Sequence, residues 1–174
     1  MQIILDARRR SDVHWEGSSL FDQSVSAAAT LTDIMIQQGN RVGMLVYGGN
    51  FLKWTVPCYG NVQRERILRT LADAEQGRHL VFEDLEYLPT DYFPPGSKLI
   101  LISLLLPRDL RMLVALQRSG FPLLIISPNP NSVEQALLGS HPSVQFAARG
   151  ANLERQLLLR NLRRAAVQVL DWDT

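Results

Sequence analysis

The stretch VGMLVYGGNFLKWTVP, residues 42–57, decides the fold. Two strand-like runs, VGMLVY (42–47) and FLKWTVP (51–57), flank the turn signal YGGNF (47–51). Glycines are what a tight chain reversal demands, so the two runs read as an antiparallel hairpin. Just upstream, Phe21, Val25, Ala28, Thr32 and Met35 fall at i, i+4, i+7, i+11 and i+14, one stripe of a helix. Ser18 or Ser19 can cap its start, and Gly39 stands where it should stop. A hairpin therefore follows directly on the first long helix.

Outward from that block, short runs rich in Ile, Val and Leu recur at 3–6, 98–103 (KLILIS), 122–127 (PLLIIS) and 166–171 (AVQVLD). Near-continuous apolar runs suit strands of a parallel sheet covered on both faces. Segments of helical period separate them. NVQRERILRTLADAEQG (61–77) puts Ile67, Leu68 and Leu71 inward with Gly77 as its stop, and Leu110, Leu113 and Val114 mark a helix ending before Gly120. The last helix, 152–164, sets Leu158, Leu162 and Ala165 against an opposite side bearing Arg160, Arg163 and Arg164. Strand–helix alternation implies parallel pairing through right-handed crossovers. The expected fold class is α/β and Rossmann-like: three layers, a mostly parallel central sheet, one antiparallel edge hairpin.

The 174 residues are expected to form a single domain, 1–174, long enough to bury a substantial core. A formal net charge of +1 gives no basic excess, so no nucleic-acid partner is expected. Cys58 is the one cysteine, which excludes a disulfide framework and a thiolate metal cluster. The most apolar run, LILISLLLP (99–107), falls far short of the ~18 residues a membrane span requires. The chain starts within a residue of one strand and stops just after another, at LDWDT (170–174), so it is expected to be a domain cut from a longer parent.

Three blocks carry a resemblance: SLFDQSVSAAATLTDIMIQQGNRVGMLVYGG (19–49), SKLILISLLLPRDLRMLVALQRSGFPLLIISP (97–128) and LERQLLLRNLRRAAVQVLDWDT (153–174). In this order they resemble the prokaryotic family known as domain of unknown function 58, whose layout is that of von Willebrand factor A-like domains. The resemblance implies a cytoplasmic domain of a larger, membrane-anchored protein, touching the membrane only through segments outside this chain. It also implies a MoxR-type AAA+ ATPase as partner, and it supplies no catalytic activity.

Von Willebrand A-like domains build a metal-ion-dependent adhesion site at their strand tips, from D-x-S-x-S after the first strand, a later threonine, and an aspartate after the fourth strand. Hard Mg²⁺ takes an octahedron of such oxygens. In IILDARRRSDVHW (3–15), Asp6 matches the first aspartate, but Arg8 and Arg10 hold the serine positions. Leu104 stands in the place of the second aspartate, and His79 is the nearest candidate where the threonine would be. Guanidinium groups offer no lone pair and repel a dication. The site is therefore expected to be degenerate and metal-free, although Ser11 and Asp12 leave a shifted, weaker one open. Asp6 then either pairs with Arg8, Arg10 or another basic neighbour, replacing metal by a fixed cation, or leaves the arginines to meet a partner's carboxylates bidentately.

Other candidates point less sharply. His14, His79 and His141 share no ligand spacing. Ser103 and Ser127 end strands without a nucleophile elbow, and SPNPNS (127–132) reads as a rigid turn with an N-cap. No phosphate-binding glycine motif is present. Cys58 reads as a small packing residue and Trp54 as partly buried. Trp15 either covers the base of the first helix or joins the arginines as an interface anchor. The expected function is a non-catalytic protein-interaction module, not an enzyme and without a cofactor. Its partner surface would comprise Asp6, Arg8, Arg10, Trp15, His79 and Leu104 on loops 7–18, 77–82 and 104–109. The alternative is a phosphate- or nucleotide-binding protein or enzyme that uses Arg8 and Arg10 as an anion clamp.

Overall fold

A computed structural model describes residues 1–9, 13–15, 18–77, 84–138 and 141–172. Its centre is a six-stranded sheet of β1 (Gln2–Asp6), β4 (Val42–Tyr47), β5 (Lys53–Cys58), β6 (Leu99–Ile102), β7 (Leu123–Pro128) and β8 (Gln168–Trp172), in the order β5-β4-β1-β6-β7-β8. Every pair is parallel except β4 with β5. β2 (His14–Trp15) and β3 (Ser18–Ser19) form a separate two-stranded ribbon. The α/β class, the mostly parallel sheet and the single antiparallel edge pair all stand as the sequence pattern implied.

The period-two alternation along β1 explains the layers. Ile3 and Leu5 point to one face, where Met44 and Val46 join Phe21 and Ala28 of α1 (Leu20–Gln37) and Ile67 and Leu71 of α2 (Gly60–Ala72). Ile4 points to the other, where Leu45 and Leu101 meet Leu113 of α3 (Leu110–Arg118) and Leu158 and Leu162 of α5 (Pro142–Arg164). Each such fully buried aliphatic side chain contributes about 1.5–3 kcal/mol. α4 (Pro130–Leu138) packs against α5. Ser19 is the N-cap of α1, in a reciprocal capping box with Asp22.

Several boundaries differ from the sequence reading. α2 ends at Ala72, and Gly77 is not its stop. Instead Gly77 donates its N–H to Ala7 O at 2.8 Å, and a Cβ there would lie 1.8 Å from Gly48 O. Gly77→Ala is therefore expected to destabilise by about 1–3 kcal/mol, since a backbone carbonyl must move. Urea unfolding reads this, and an unchanged midpoint would contradict it.

α5 begins at Pro142, ten residues before the expected start, with His141 as its N-cap. α4 starts inside SPNPNS (127–132), read as a turn with an N-cap, and runs on to Leu138. On β5, Thr55 and Pro57 face inward, while Trp54 is 38% exposed and stacks on Tyr92 at 4.7 Å. α2 packs on this edge strand from one side, and Cys58 is exposed rather than packed. At the bulge between Val42 and Met44, side chains take over the ladder: Met44 N–H donates to Thr55 Oγ1, and Gln63 Nε2 donates to Val42 O and Val56 O.

Tyr47 closes β4 fully buried, its hydroxyl donating to Asp84 O at 2.5 Å. Burial, with the carboxylates of Asp6, Asp84 and Asp109 adding to it and the Arg8 charge opposing it, pushes its pKa up to about 12. Above pH ~10 the unfolded tyrosine ionises while the folded one keeps its proton, so stability falls as pH rises toward 12. The loss amounts to up to about 3 kcal/mol over those two units. In Tyr47→Phe that part of the alkaline fall in the urea midpoint should vanish. A wild-type slope retained by the variant would exclude Tyr47 as its source.

Candidate functional site

β1 lies between β4 and β6 and delivers Asp6 to the carboxyl edge of the sheet, where open α/β folds gather their ligand groups. Asp6 is 4% exposed. Beyond it the chain turns at once: Ala7 N–H extends the ladder to Tyr47 O, and Arg8 N–H folds back onto Asp6 Oδ1 at 3.0 Å. That turn aims the Arg8 side chain inward. Gly48, at φ +82°, makes the room, because a Cβ there would lie 2.4 Å from Arg8 Cγ.

The Arg8 guanidinium lies between two carboxylates. Its Nε donates to Asp6 Oδ1 and Oδ2 at 2.9 and 3.0 Å, and Nη2 to Asp6 Oδ2 at 2.7 Å. Its other edge donates through Nη1 and Nη2 to Asp109 Oδ1 and Oδ2 at 2.9 and 2.8 Å. Ser103 Oγ donates to Asp6 Oδ2 at 2.5 Å and accepts the N–H of Leu105 at 3.1 Å. Arg8, Asp109 and Ser103 are 5%, 2% and 2% exposed. Burial by itself pulls the Arg8 pKa down, but the Asp6 charge, the hydrogen bonds to Asp109 and Asp6 and the Asp109 charge outweigh it, so the value is raised. Arg8 is a permanent cation.

A metal ion does not fit this arrangement. The two carboxylates a dication would use already face a cation between them, and a second positive charge there would be repelled. Among the described residues no three His, Cys, Asp or Glu side chains stand together as a ligand set.

Arg155 repeats the device further along the same edge. From α5 it donates to Leu104 O beyond β6, to Ser127 O, Ser127 Oγ and Pro128 O at the end of β7, and through Nε and Nη2 to Asp171 Oδ1 of β8. It is 9% exposed. One guanidinium thus ties the ends of three neighbouring strands.

Of the expected site residues, Asp6 and Arg8 come together, and Arg8 points into the protein rather than toward a partner. Leu104 is buried against Leu20 and Val133, contributing its carbonyl to Arg155 and no exposed side chain. Trp15 pairs with Ser18 through the backbone of the β2–β3 ribbon. Arg10, His79, Ser11 and Asp12 lie outside the described residues. Arg9 is exposed, beside a cleft of about 700 Å³ also lined by His14, Asp22 and Glu75.

Asp109 and Arg155 were missed. The acid opens a helix in PRDL (107–110), and the arginine shares the inward face of Leu158 and Leu162, three and seven residues on. An arginine on an apolar helix face is a readable sign of a buried ion pair.

The fold is von Willebrand factor A-like (VWA-like). The chain is similar to the crystal structure of the SpRpn10 VWA domain with a TM-score of 0.53 and 10% identity, over 99% of this chain and 86% of that one. At that identity the likeness is one of fold. No protein-family model matches the sequence, and no curated protein does. No helix among the described residues is long and apolar enough to cross a membrane.

Proposed function

We propose that this VWA-like domain is a non-catalytic protein-interaction module whose strand-tip site works without metal. The observation that carries the reading is the Arg8 guanidinium bridging Asp6 and Asp109. It supplies, as part of the chain, the positive charge that a bound dication would bring to such an edge. Recognition then falls to the loops expected from the sequence, 7–18, 77–82 and 104–109, among whose described residues Arg9 is exposed beside the cleft. The resemblance of residues 19–49, 97–128 and 153–174 to domain of unknown function 58 points to a MoxR-type AAA+ ATPase as the partner.

The anion-clamp alternative gains nothing from the geometry, because the Arg8 guanidinium is directed at two carboxylates rather than at solvent.

The test is binding of a purified, nucleotide-free MoxR-type ATPase by biolayer interferometry, with Mg²⁺ and with a chelator. Equal affinity in both is expected, together with a loss of about tenfold or more in Arg9→Glu and Trp15→Ala at unchanged thermal midpoint. Binding that needs Mg²⁺ would overturn metal independence. A thermal midpoint raised by a phosphate-bearing ligand would favour the anion-binding reading instead.

A further inference from the structure

α5 carries a second surface that the strand-tip site does not use. Its inward face is occupied by Arg155, Leu158, Leu159 and Leu162. Its outward face is not simply polar: Phe146, Leu153 and Leu157 are 80%, 61% and 56% exposed. With Gly150, Arg160 and Arg164, also exposed, they fall at 146, 150, 153, 157, 160 and 164. Those steps of four and three are the spacing by which one helix presents a seam to another. The seam is apolar at its start and cationic at its end, and Arg149 and Arg163 flank it while Glu154 is the acid at its margin. The whole chain carries only +1, so positive charge is concentrated on this face.

Gly150 adds an independent sign. A glycine inside a helix lowers helix stability relative to alanine. Nothing lies within 4 Å of where its Cβ would stand, so packing within the domain does not require it. A missing side chain at the middle of an exposed seam is what close approach of a second helix backbone uses. Position favours access as well. Arg155 sits at the level of the strand tips, so residues 142–154 run on beyond the carboxyl edge of the sheet for about 20 Å.

We infer that the outward seam of α5 docks an amphipathic helix of a partner protein, with leucine-like side chains against Phe146, Leu153 and Leu157 and acidic ones against Arg160 and Arg164. A second copy of this chain is the wrong occupant. Antiparallel pairing would set Arg160 against Arg149, and parallel pairing would set each arginine against itself. An anionic bilayer is also disfavoured, because the apolar part is one line of side chains interrupted at Gly150, not the broad face of an interfacial helix. The inference stands apart from the strand-tip reading, and its test reads the helix face alone.

The probe is a synthetic three-heptad helical peptide whose seam is leucine over one half and glutamate over the other, titrated into the full chain by calorimetry. Saturable binding is expected, weakened about tenfold or more by Leu157→Glu and by exchanging the peptide's glutamates for lysines. Gly150→Gln separates recognition from folding. It should raise the thermal midpoint by a few degrees, since glutamine is the better helix former, while weakening the peptide about tenfold or more. Several outcomes would each overturn the inference: no saturable binding, equal binding of the lysine peptide, or full binding by Gly150→Gln. So would preferential sedimentation with phosphatidylserine vesicles, or a dimer abolished by Leu157→Glu.

Discussion

Replacing Arg8 by alanine is expected to lower the stability of the domain by about 3–5 kcal/mol, the usual consequence of leaving buried carboxylates without their charge partner. The loss is not one of packing. Asp6 and Asp109 are 4% and 2% exposed, so water cannot take over the four oxygens that the guanidinium serves. Arg8→Met, which keeps the stem and drops the charge, should be nearly as damaging. Adding Asp6→Asn and Asp109→Asn to it should recover much of the loss, because neutral amides remove the uncompensated charge. Urea unfolding of the set separates these cases; a loss under about 1 kcal/mol for Arg8→Met would mean the bridge is not a structural element. Arg8→Ser opens a second readout. With the guanidinium gone, Asp6, Ser103, Asp109 and the new hydroxyl form the all-oxygen set that hard dications take, so millimolar Mg²⁺ should raise the thermal midpoint of Arg8→Ser and leave the wild type unmoved.

Arg155→Ala is expected to cost about 2–3 kcal/mol, because the carbonyls of Leu104 and Ser127 are left without their donor and Asp171 without its charge-assisted hydrogen bonds. Asp171 is 36% exposed and keeps access to water, which holds the figure below that for Arg8. Arg155→Lys should rescue little, since one ammonium cannot span strand ends that a planar fork reaches together. Hydrogen exchange should show β8 opening first in Arg155→Ala, because it is a sheet edge held at its tip by this arginine. Wild-type protection of β8 in that variant would refute the role.

Much of the fold is legible in the residues because it rests on local rules. The runs at 42–47, 98–103 and 122–127 could be placed to within a residue or so, since a buried parallel strand is apolar throughout. The start of α5 was not legible, and the reason is physical. Residues 142–151 rise past the sheet, have little core to face, and so lack the inward apolar stripe that marks residues 155–162. The site divides in the same way. Asp6 announces itself at the end of an apolar run, and the turn after it is short enough that pairing with Arg8 could be weighed in advance. That Arg8 turns inward depends on the Asp6 side chain capturing the Arg8 N–H, and on space left by Gly48. The second carboxylate arrives 101 residues along the chain, from a turn whose sequence position does not betray its place in the sheet.

The placement of β1 bears on how the chain is made. Residues 2–6 are synthesised before their partners, residues 43–47 and 99–102, so β1 cannot be flanked on both sides until residues 99–102 have been made. Until then Ile3, Ile4 and Leu5 form an apolar segment with open hydrogen-bonding edges, the kind of surface that invites chaperones or aggregation. The β4–β5 hairpin needs no such wait, because its strands are neighbours in sequence and hairpins close within microseconds. Refolding of the whole domain should accordingly be limited by the closure of parallel pairs across β1, on the slower timescale of distant contacts rather than of helices or hairpins.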